Sequence, residues 1–455
     1  MRFCGKSIRP WIAQNWGIST SQRTRGLLCG LLLASGASFG SIDKVQAADL
    51  PALEIDPIRA AFFDDATFTL HMRSYLFDMY NNGDSNPAAW AIGGWVGYET
   101  GWIGDILKFG AVGYTSQPLW APADRPGSLL LLPDQDGFSV LGQAYAALRY
   151  EDQVLTFYRQ LVDQPEVNPH DNRMVPNTFE GISLKGDLGL LSYYAGYLTR
   201  MKTRDADDFV NMAKIAGVDQ DEPMYLGGLS FAPDKDLSLK TSLYVVPNLL
   251  ASSYTDGSWM TGQLDGDHIK LSAQFMIQSG IGDQLLTGSE FVTWMGGVLG
   301  EVRRGDLTLM AGYTANGTDN DWRYPYGMWP GYTNMIIGVF ARAEEQAALL
   351  GATYDLSGIG LEGLTLGAQA ALDTHVASGR AKWYEYDFSA DYSFSAIENS
   401  PRWLSPLSLG VRYAILQSDN VGPESDESDR IPVRLDSDEL RVIMNYQVQF
   451  SGKDL

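Results

Sequence analysis

Cysteine is nearly absent. Cys4 and Cys29 are the only two in 455 residues, and both stand close to the N-terminus. The rest of the chain can hold neither a disulfide framework nor a thiolate metal site. Histidine is almost as scarce. His71, His170, His268 and His375 form no His-x-x-x-His or His-Glu-x-x-His pair, so a zinc hydrolase has no support. Past the N-terminal segment there is no Gly-x-Ser-x-Gly nucleophile elbow. Positive charge is in deficit, with 33 Lys and Arg against 55 Asp and Glu and a net charge of −22, which excludes a nucleic-acid binder. Beyond the N-terminus no run of 18 apolar residues exists to cross a bilayer as a helix. What is plentiful is Gly (48), Tyr (23), Phe (18) and Trp (12), and this aromatic content argues against disorder. An all-β protein remains, either secreted and soluble or a membrane barrel.

The first segment reads as an address. Arg23 and Arg25 precede the apolar run Leu27 to Ala34, and Val45-Gln46-Ala47 is a small-x-small cleavage site. Residues 1–47 are predicted to be a secretory signal peptide and 48–455 a single transmembrane β-barrel. No internal repeat, Gly-rich phosphate loop or domain linker interrupts that stretch.

From there on the sequence has a period of two. Leu440, Val442, Met444, Tyr446, Val448 and Phe450 share one parity, against Arg441, Asn445, Gln447 and Gln449, with Ile443 the exception. Residues 364–372 and 407–415 alternate in the same way, as do 70–76, 237–245, 269–277, 307–313, 337–343 and 384–394. Such alternation predicts strands with one apolar and one polar face. Three features favour a membrane barrel over a soluble sandwich. The strands approach the roughly 9–11 residues that a bilayer needs, where soluble strands average about 5–6. Aromatics gather near strand ends, as at Tyr75 and Phe77, Trp90 and Trp95, Tyr384 and Tyr386, and Tyr446 and Phe450, which suggests interfacial girdles. Short turns such as Ser357 to Gly360 alternate with long polar loops at 163–178, 314–333 and 417–437.

With the apolar parity towards lipid, the other parity faces the lumen. It carries Arg73, Arg149, Lys240, Lys270, Arg303, Arg342, Arg412 and Arg441, and on a less apolar stretch Arg200 and Lys202. A charge on the lipid face costs about 2–4 kcal/mol at mid-depth, so inward is the cheaper placement. Acid concentrates in the loop holding Asp419, Glu424, Asp426, Glu427, Asp429 and Asp436, and Glu301, Glu344, Asp387 and Asp391 are the lumenal candidates. A basic lumen inside an acidic protein points to steering of anionic or carboxylate solutes. The plainer reading is that lumenal Arg pairs with Glu to hold the barrel's shape, Arg303 with Glu301 for example. Arg380 and Lys382 share parity with Tyr384, so either that strand begins after them or a bulge flips them. Asp64-Asp65, just before the first strand, reads as a turn rather than as a catalytic carboxylate pair.

Three stretches resemble a known family, the OprD-like outer-membrane porins. Phe62 to Tyr75 (FFDDATFTLHMRSY) is similar to the family's opening strand, with an Asp-Asp pair ahead of an inward Arg. Arg173 to Gly181 (RMVPNTFEG) is similar to its Arg-x-x-Pro-x-Thr/Ser-Phe-Glu/Gln-Gly stretch at the loop folded into the pore. The C-terminal strands LSLGVRY and DELRVIMNY complete the match, which spans residues 60 to 450. The resemblance implies an 18-stranded monomeric barrel in the outer membrane of a Gram-negative-type envelope, placed there by the barrel-assembly machinery. It also implies inward-folded loops and a ladder of basic side chains passing small carboxylate-type solutes by diffusion, with no cofactor. Arg73, Arg412 and Arg441 fall in strands matching the ladder, and Arg173, Pro176, Phe179 and Glu180 would form the constriction loop. Two departures stand out: Ser451 to Leu455 follow the aromatic Phe450, on which family members commonly end, and Gly410 occupies a lumenal place where a polar side chain is expected. Two alternatives belong to other classes. One is a secreted soluble sandwich or propeller binding carbohydrate through Trp and Tyr. The other is a barrel-embedded lipase using His71 or His268 beside a serine.

Overall fold

The computed structural model describes residues 55–81, 86–397, 400–419 and 436–454. The predicted signal peptide and most of the acidic stretch after Ser418 lie outside the described residues. A short helix α1 (Ile55–Arg59) and one π-helical turn (Ala60–Asp64) lead into the first strand. Seven strands then run antiparallel to their neighbours: β1 (Thr67–Asn81), β2 (Ala88–Glu99), β3 (Leu107–Trp120), β4 (Phe138–Tyr150), β5 (Gln153–Gln160), β6 (Thr178–Asp187) and β7 (Leu191–Lys202). A two-residue strand β8 (Val210–Asn211) and helix α2 (Met212–Ile215) occupy the connection to β9 (Met224–Phe231). The sheet continues through β10 (Leu237–Val246), β11 (Leu250–Gly262), β12 (His268–Gly280), β13 (Val292–Arg304) and β14 (Leu307–Asn316). It ends with β15 (Gln346–Asp355), β16 (Leu364–His375), β17 (Trp383–Ser393), β18 (Leu407–Ser418) and β19 (Ser437–Ser451).

β19 pairs along its length with β1, and β9 bridges β7 and β10, so the sheet closes on itself. β8 pairs only with the last residues of β7. The result is a closed antiparallel barrel of 18 strands plus one extra short strand, and closure leaves no unpaired edge in the wall. No helix of the described residues is long and apolar enough to cross a membrane.

Alternation sorts the wall into two faces, as the period predicts. Met72, Val96, Leu239, Leu271, Val302, Leu350, Phe388, Val411 and Val442 point outward and are exposed. Their neighbours His71, Lys240, Gln274, Asp387 and Arg441 point inward and are buried. Four bulges shift the parity locally. One lies opposite Glu180/Gly181, where Thr199 is the extra residue of β7. Beyond it Arg200 is exposed, while Lys202 is enclosed with its ammonium 5.5 Å from the Tyr114 ring. β17 starts only at Trp383, which resolves the parity conflict at Arg380 and Lys382: both precede the strand.

The start of β1 and the end of β19 lie at the same end of the barrel as most of the short turns, and loops 121–137, 161–177 and 317–345 lie at the other. Three of the long connections turn inward. Leu130 and Leu131 of loop 121–137, Val162, Val167, Met174 and Val175 of loop 161–177, and Trp322, Trp329 and Phe340 of loop 317–345 are all buried. Fully burying such a side chain is worth roughly 1.5–3 kcal/mol, so these side chains hold the loops inside the lumen.

Residues 337–343 are not a strand but the second half of loop 317–345, which is longer than the predicted 314–333. Their alternation comes from burial of that loop inside the lumen, and positive φ at Phe340 (51°) and Glu344 (61°) breaks any strand. Tyr75 and Phe77 are not girdle aromatics. They point inward and are buried, and Trp95 stacks 3.8 Å from His71. Trp90, Tyr386 and Phe450 do face outward near strand ends. After Phe450 the chain turns back on the N-terminal segment: Gly452–Asp454 forms a 3-10 turn, with Gly452 N donating to Ala66 O at 2.8 Å and Lys453 Nζ 2.5 Å from Asp65 Oδ1.

Candidate functional site: the narrowed lumen

Loop 161–177 crosses the lumen, and each part of it has its own tether. At the β1 side Arg73 donates to Asp171 Oδ1 (2.7 Å), to Asn445 Oδ1 (2.7 Å) and to the carbonyl of Arg173. Tyr75 Oη donates to Asn172 O (3.2 Å), and Arg204 donates to the Asn172 side chain. Arg173 itself turns away from the open lumen. Its Nε donates to Ser128 O (2.9 Å), and its guanidinium lies 4.9 Å from the Phe77 ring. In the middle of the loop, Asn168 exchanges hydrogen bonds with loop 317–345, donating to Met328 O (3.2 Å) and accepting from Met328 N (2.9 Å). The two inward loops therefore brace one another.

Loop 317–345 is tied to the wall by carboxylates. Glu385 accepts from the backbone N–H groups of Ile337 (2.7 Å) and Gly338 (2.6 Å), and Asp387 accepts from Ile336 N (3.1 Å). Arg342 binds Glu345 (2.6 Å), Asp373 (2.5 Å) and the Ala381 carbonyl (3.0 Å), with Trp383 stacked 3.8 Å away. On the β11 side Tyr332 Oη donates to Asp256 (2.7 Å).

The predicted lumenal cations thus fall into distinct settings. Arg73 and Arg441 meet Arg173 and Arg204 around loop 161–177. Arg441 pairs with Glu439 and donates to Ile336 O at 3.1 Å. Burial together with the guanidinium charges of Arg204, Arg173 and Arg441 pushes the His170 imidazole well below its ordinary range, and burial takes Arg204 down to about 9. Arg412 lies level with Arg441 on the neighbouring strand and pairs with Asp391 (2.7 Å). A Cβ at Gly410 would lie 3.2 Å from that same Asp391 oxygen, so the space where a polar side chain was expected belongs to the pair. Lys240 is buried and Lys270 partly exposed on inward positions of β10 and β12, across the barrel from β1 and β19.

Three predicted residues do not line the mid-lumen. Arg149 bends to the rim, pairing with Asp105 (2.9 Å) and lying 4.3 Å from the Trp102 ring. Arg303 bonds the turn carbonyl of Gly305 (3.3 Å), and Glu301 pairs with His268 (2.8 Å), so the expected Arg303–Glu301 pair is not made. Arg342 lies in the loop and is fully engaged there. Of the predicted constriction loop, Arg173 and Pro176 are in loop 161–177 and buried, but Phe179 and Glu180 belong to β6. Phe179 anchors an apolar cluster with Val162, Leu198 and Met201, and Glu180 pairs with Arg159 (2.9 Å). Glu344 is likewise a loop residue. Sequence reasoning passed over Lys108 and Lys185, which parity alone would have placed inward. Lys108 pairs with Glu99 (2.5 Å) near the barrel end that carries the short turns. Asp171, Arg204 and Glu385 gave no sequence signal, because only the loop fold brings their partners near.

Neither lipase histidine is hydrogen-bonded to a serine: His71 contacts Asn445 (3.0 Å), and His268 contacts Glu301 and the carbonyls of Gln263 and Gly266. Among the described residues no cluster of His, Cys, Asp and Glu is arranged to hold a metal.

The architecture is shared with solved structures. Pseudomonas aeruginosa OccK9 (OpdG) superposes with a TM-score of 0.76 at 22% identity, covering 86% of this chain and 100% of that one. Acinetobacter baumannii OccAB1 gives 0.74 at 17%, covering 86% and 98%. Pseudomonas aeruginosa OpdK with vanillate gives 0.73 at 18%, covering 86% and 100%. No curated protein matches the sequence significantly. The family described as outer membrane porin, OprD family, matches residues 60–450, and with that span and the closed 18-stranded barrel the chain belongs to the OprD family of outer membrane porins.

Proposed function

We propose that this porin passes small carboxylate-bearing solutes by passive, substrate-preferring diffusion, as a monomer, after residues 1–47 are removed and the barrel-assembly machinery has inserted it. The observation that carries the reading is the arginine group at the narrowing. Arg73, Arg173, Arg204 and Arg441 surround loop 161–177, where Asp171 bonds Arg73, Glu439 and Asp387 face Arg441, and Asp205 faces Arg204. Four guanidinium groups are thus gathered at one level of the lumen inside a protein of net charge −22. A guanidinium offers two parallel donors to a carboxylate, whereas Lys240, Lys270 and Lys185 act as point charges on the rest of the wall. Several shallow sites in series favour conduction, because a solute held too tightly at one of them would not leave. OpdK was solved with vanillate, whose anionic group is a carboxylate, and this supports the same class here.

The test is the reversal potential of the refolded protein in a planar bilayer under a salt gradient. Discrete conductance steps with an anion-leaning potential are the expected result, and Arg412→Ala with Arg441→Ala should move it towards cations. A cation-leaning wild type would refute the carboxylate preference while leaving the channel intact.

A further inference from the structure

Glu166 stands apart from every other tether of the inward loops. It lies in loop 161–177, its side chain is enclosed, and Oε1 accepts one hydrogen bond, from Ser252 Oγ of β11 at 2.6 Å. Oε2 has no partner among the described residues. The ionisable groups turned towards it are phenols: Tyr244 of β10 and Tyr254 of β11. From loop 317–345, Tyr326 packs against the same cluster and gives its hydroxyl to Met212 O (3.0 Å). No Lys, Arg or His among the described residues forms an ion pair with Glu166, and the nearby Asp163 of the same loop interacts with Lys240 instead. Val167, the next residue, is fully buried. An ionised carboxylate enclosed with one hydroxyl and no counter-ion is costly, whereas the neutral acid fits the site and its own proton is one more donor.

We propose that Glu166 is a proton-dependent latch. In its neutral form it keeps this part of loop 161–177 seated on β11. On losing its proton to water it releases the loop from the wall, and the aperture widens as the medium passes from acid towards neutral. The latch rests on reading loop 161–177 as the element that sets the channel's width.

The direction follows from linkage. Burial raises the Glu166 carboxyl from 4.5 to about 7. A raised acid favours the seated loop fully below its ordinary value, and that advantage is lost as pH rises to about 7, with no further change above. The unseating equilibrium therefore grows by at most roughly 300-fold across that window, because each pH unit between the two values contributes a factor of about ten.

Two readouts test it. The first is single-channel conductance of the refolded mature chain at pH 5 and pH 8, for the wild type and for Glu166→Gln, which keeps the Ser252 hydrogen bond but cannot ionise. The wild type should show larger or more frequent open steps at pH 8, and Glu166→Gln should keep its pH 5 behaviour at both values. The second does not depend on current. The mature chain has no cysteine, so Val167→Cys reports unseating through maleimide labelling. Comparing Val167→Cys with Val167→Cys/Glu166→Gln at each pH cancels the thiol's own titration. The labelling ratio should be about fourfold or less at pH 5 and a further tenfold or more higher at pH 8. A ratio that stays near one, or a Glu166→Gln channel that follows the wild-type pH response, overturns the latch. Labelling that rises as stated in a protein passing no current upholds the latch and refutes the channel reading.

Discussion

Replacing Arg342 by Met is the sharpest probe of how loop 317–345 is held. The guanidinium sits between Glu345 and Asp373, whose side chains have no solvent exposure, and also binds the Ala381 carbonyl. Methionine leaves both carboxylates buried with no cation, and breaking a buried pair in this way costs about 3–5 kcal/mol. That is two to three and a half powers of ten in a local opening equilibrium, at 1.4 kcal/mol per decade. The loop has other anchors: Trp322, Tyr326, Trp329 and Phe340 are buried, each worth about 1.5–3 kcal/mol. Their sum exceeds the loss, so the first half of the loop should stay in place and residues 341–345 should come away from β16. The expected result is a folded barrel with higher and noisier single-channel conductance. The triple variant Arg342→Met/Glu345→Gln/Asp373→Asn removes the stranded charges and should recover most of the wild-type behaviour. Wild-type conductance in the single variant, or a triple variant no better than the single one, would refute the reasoning.

Other outcomes follow from the same structure. Arg73→Met removes hydrogen bonds to Asp171, Asn445 and the Arg173 carbonyl. Asp171 keeps a third of its side chain in solvent, so the cost should be modest, about 1–2 kcal/mol, read as increased current noise and faster proteolysis within loop 161–177. A Cβ at Gly452 would clash with the Phe63 carbonyl, so Gly452→Ala should open the clasp between residues 63–66 and 451–453 and lower the temperature at which the folded barrel loses its fast gel mobility. Lys453→Ala breaks only an exposed pair and should leave that temperature nearly unchanged.

The strands were legible because a membrane wall imposes one rule on every residue: lipid on one side, lumen on the other. That rule placed Arg73, Lys240, Lys270, Arg412 and Arg441 on the inner face before any coordinates. It failed wherever a segment is buried without being wall. Residues 337–343 alternate because a loop packed inside the lumen also has two unlike sides, and Tyr75 and Phe77 are aromatic because loops 121–137 and 161–177 pack on them. The same confusion made Phe179 and Glu180 look like loop residues, since the motif they complete runs from loop into β6.

What the sequence by itself determined is the barrel: most of its strands, their lipid and lumen faces, and the inward parity of Arg73, Arg412 and Arg441, all consequences of a two-residue period read against a bilayer. What only the tertiary structure decided is who meets whom inside. Asp171 with Arg73, Arg342 with Asp373, Glu385 with the backbone of loop 317–345 and Glu166 with Ser252 are separated by 31 to 98 residues along the chain. Period fixes the direction of a side chain, but a partner across the lumen depends on where an irregular loop comes to rest, and no local pattern encodes that.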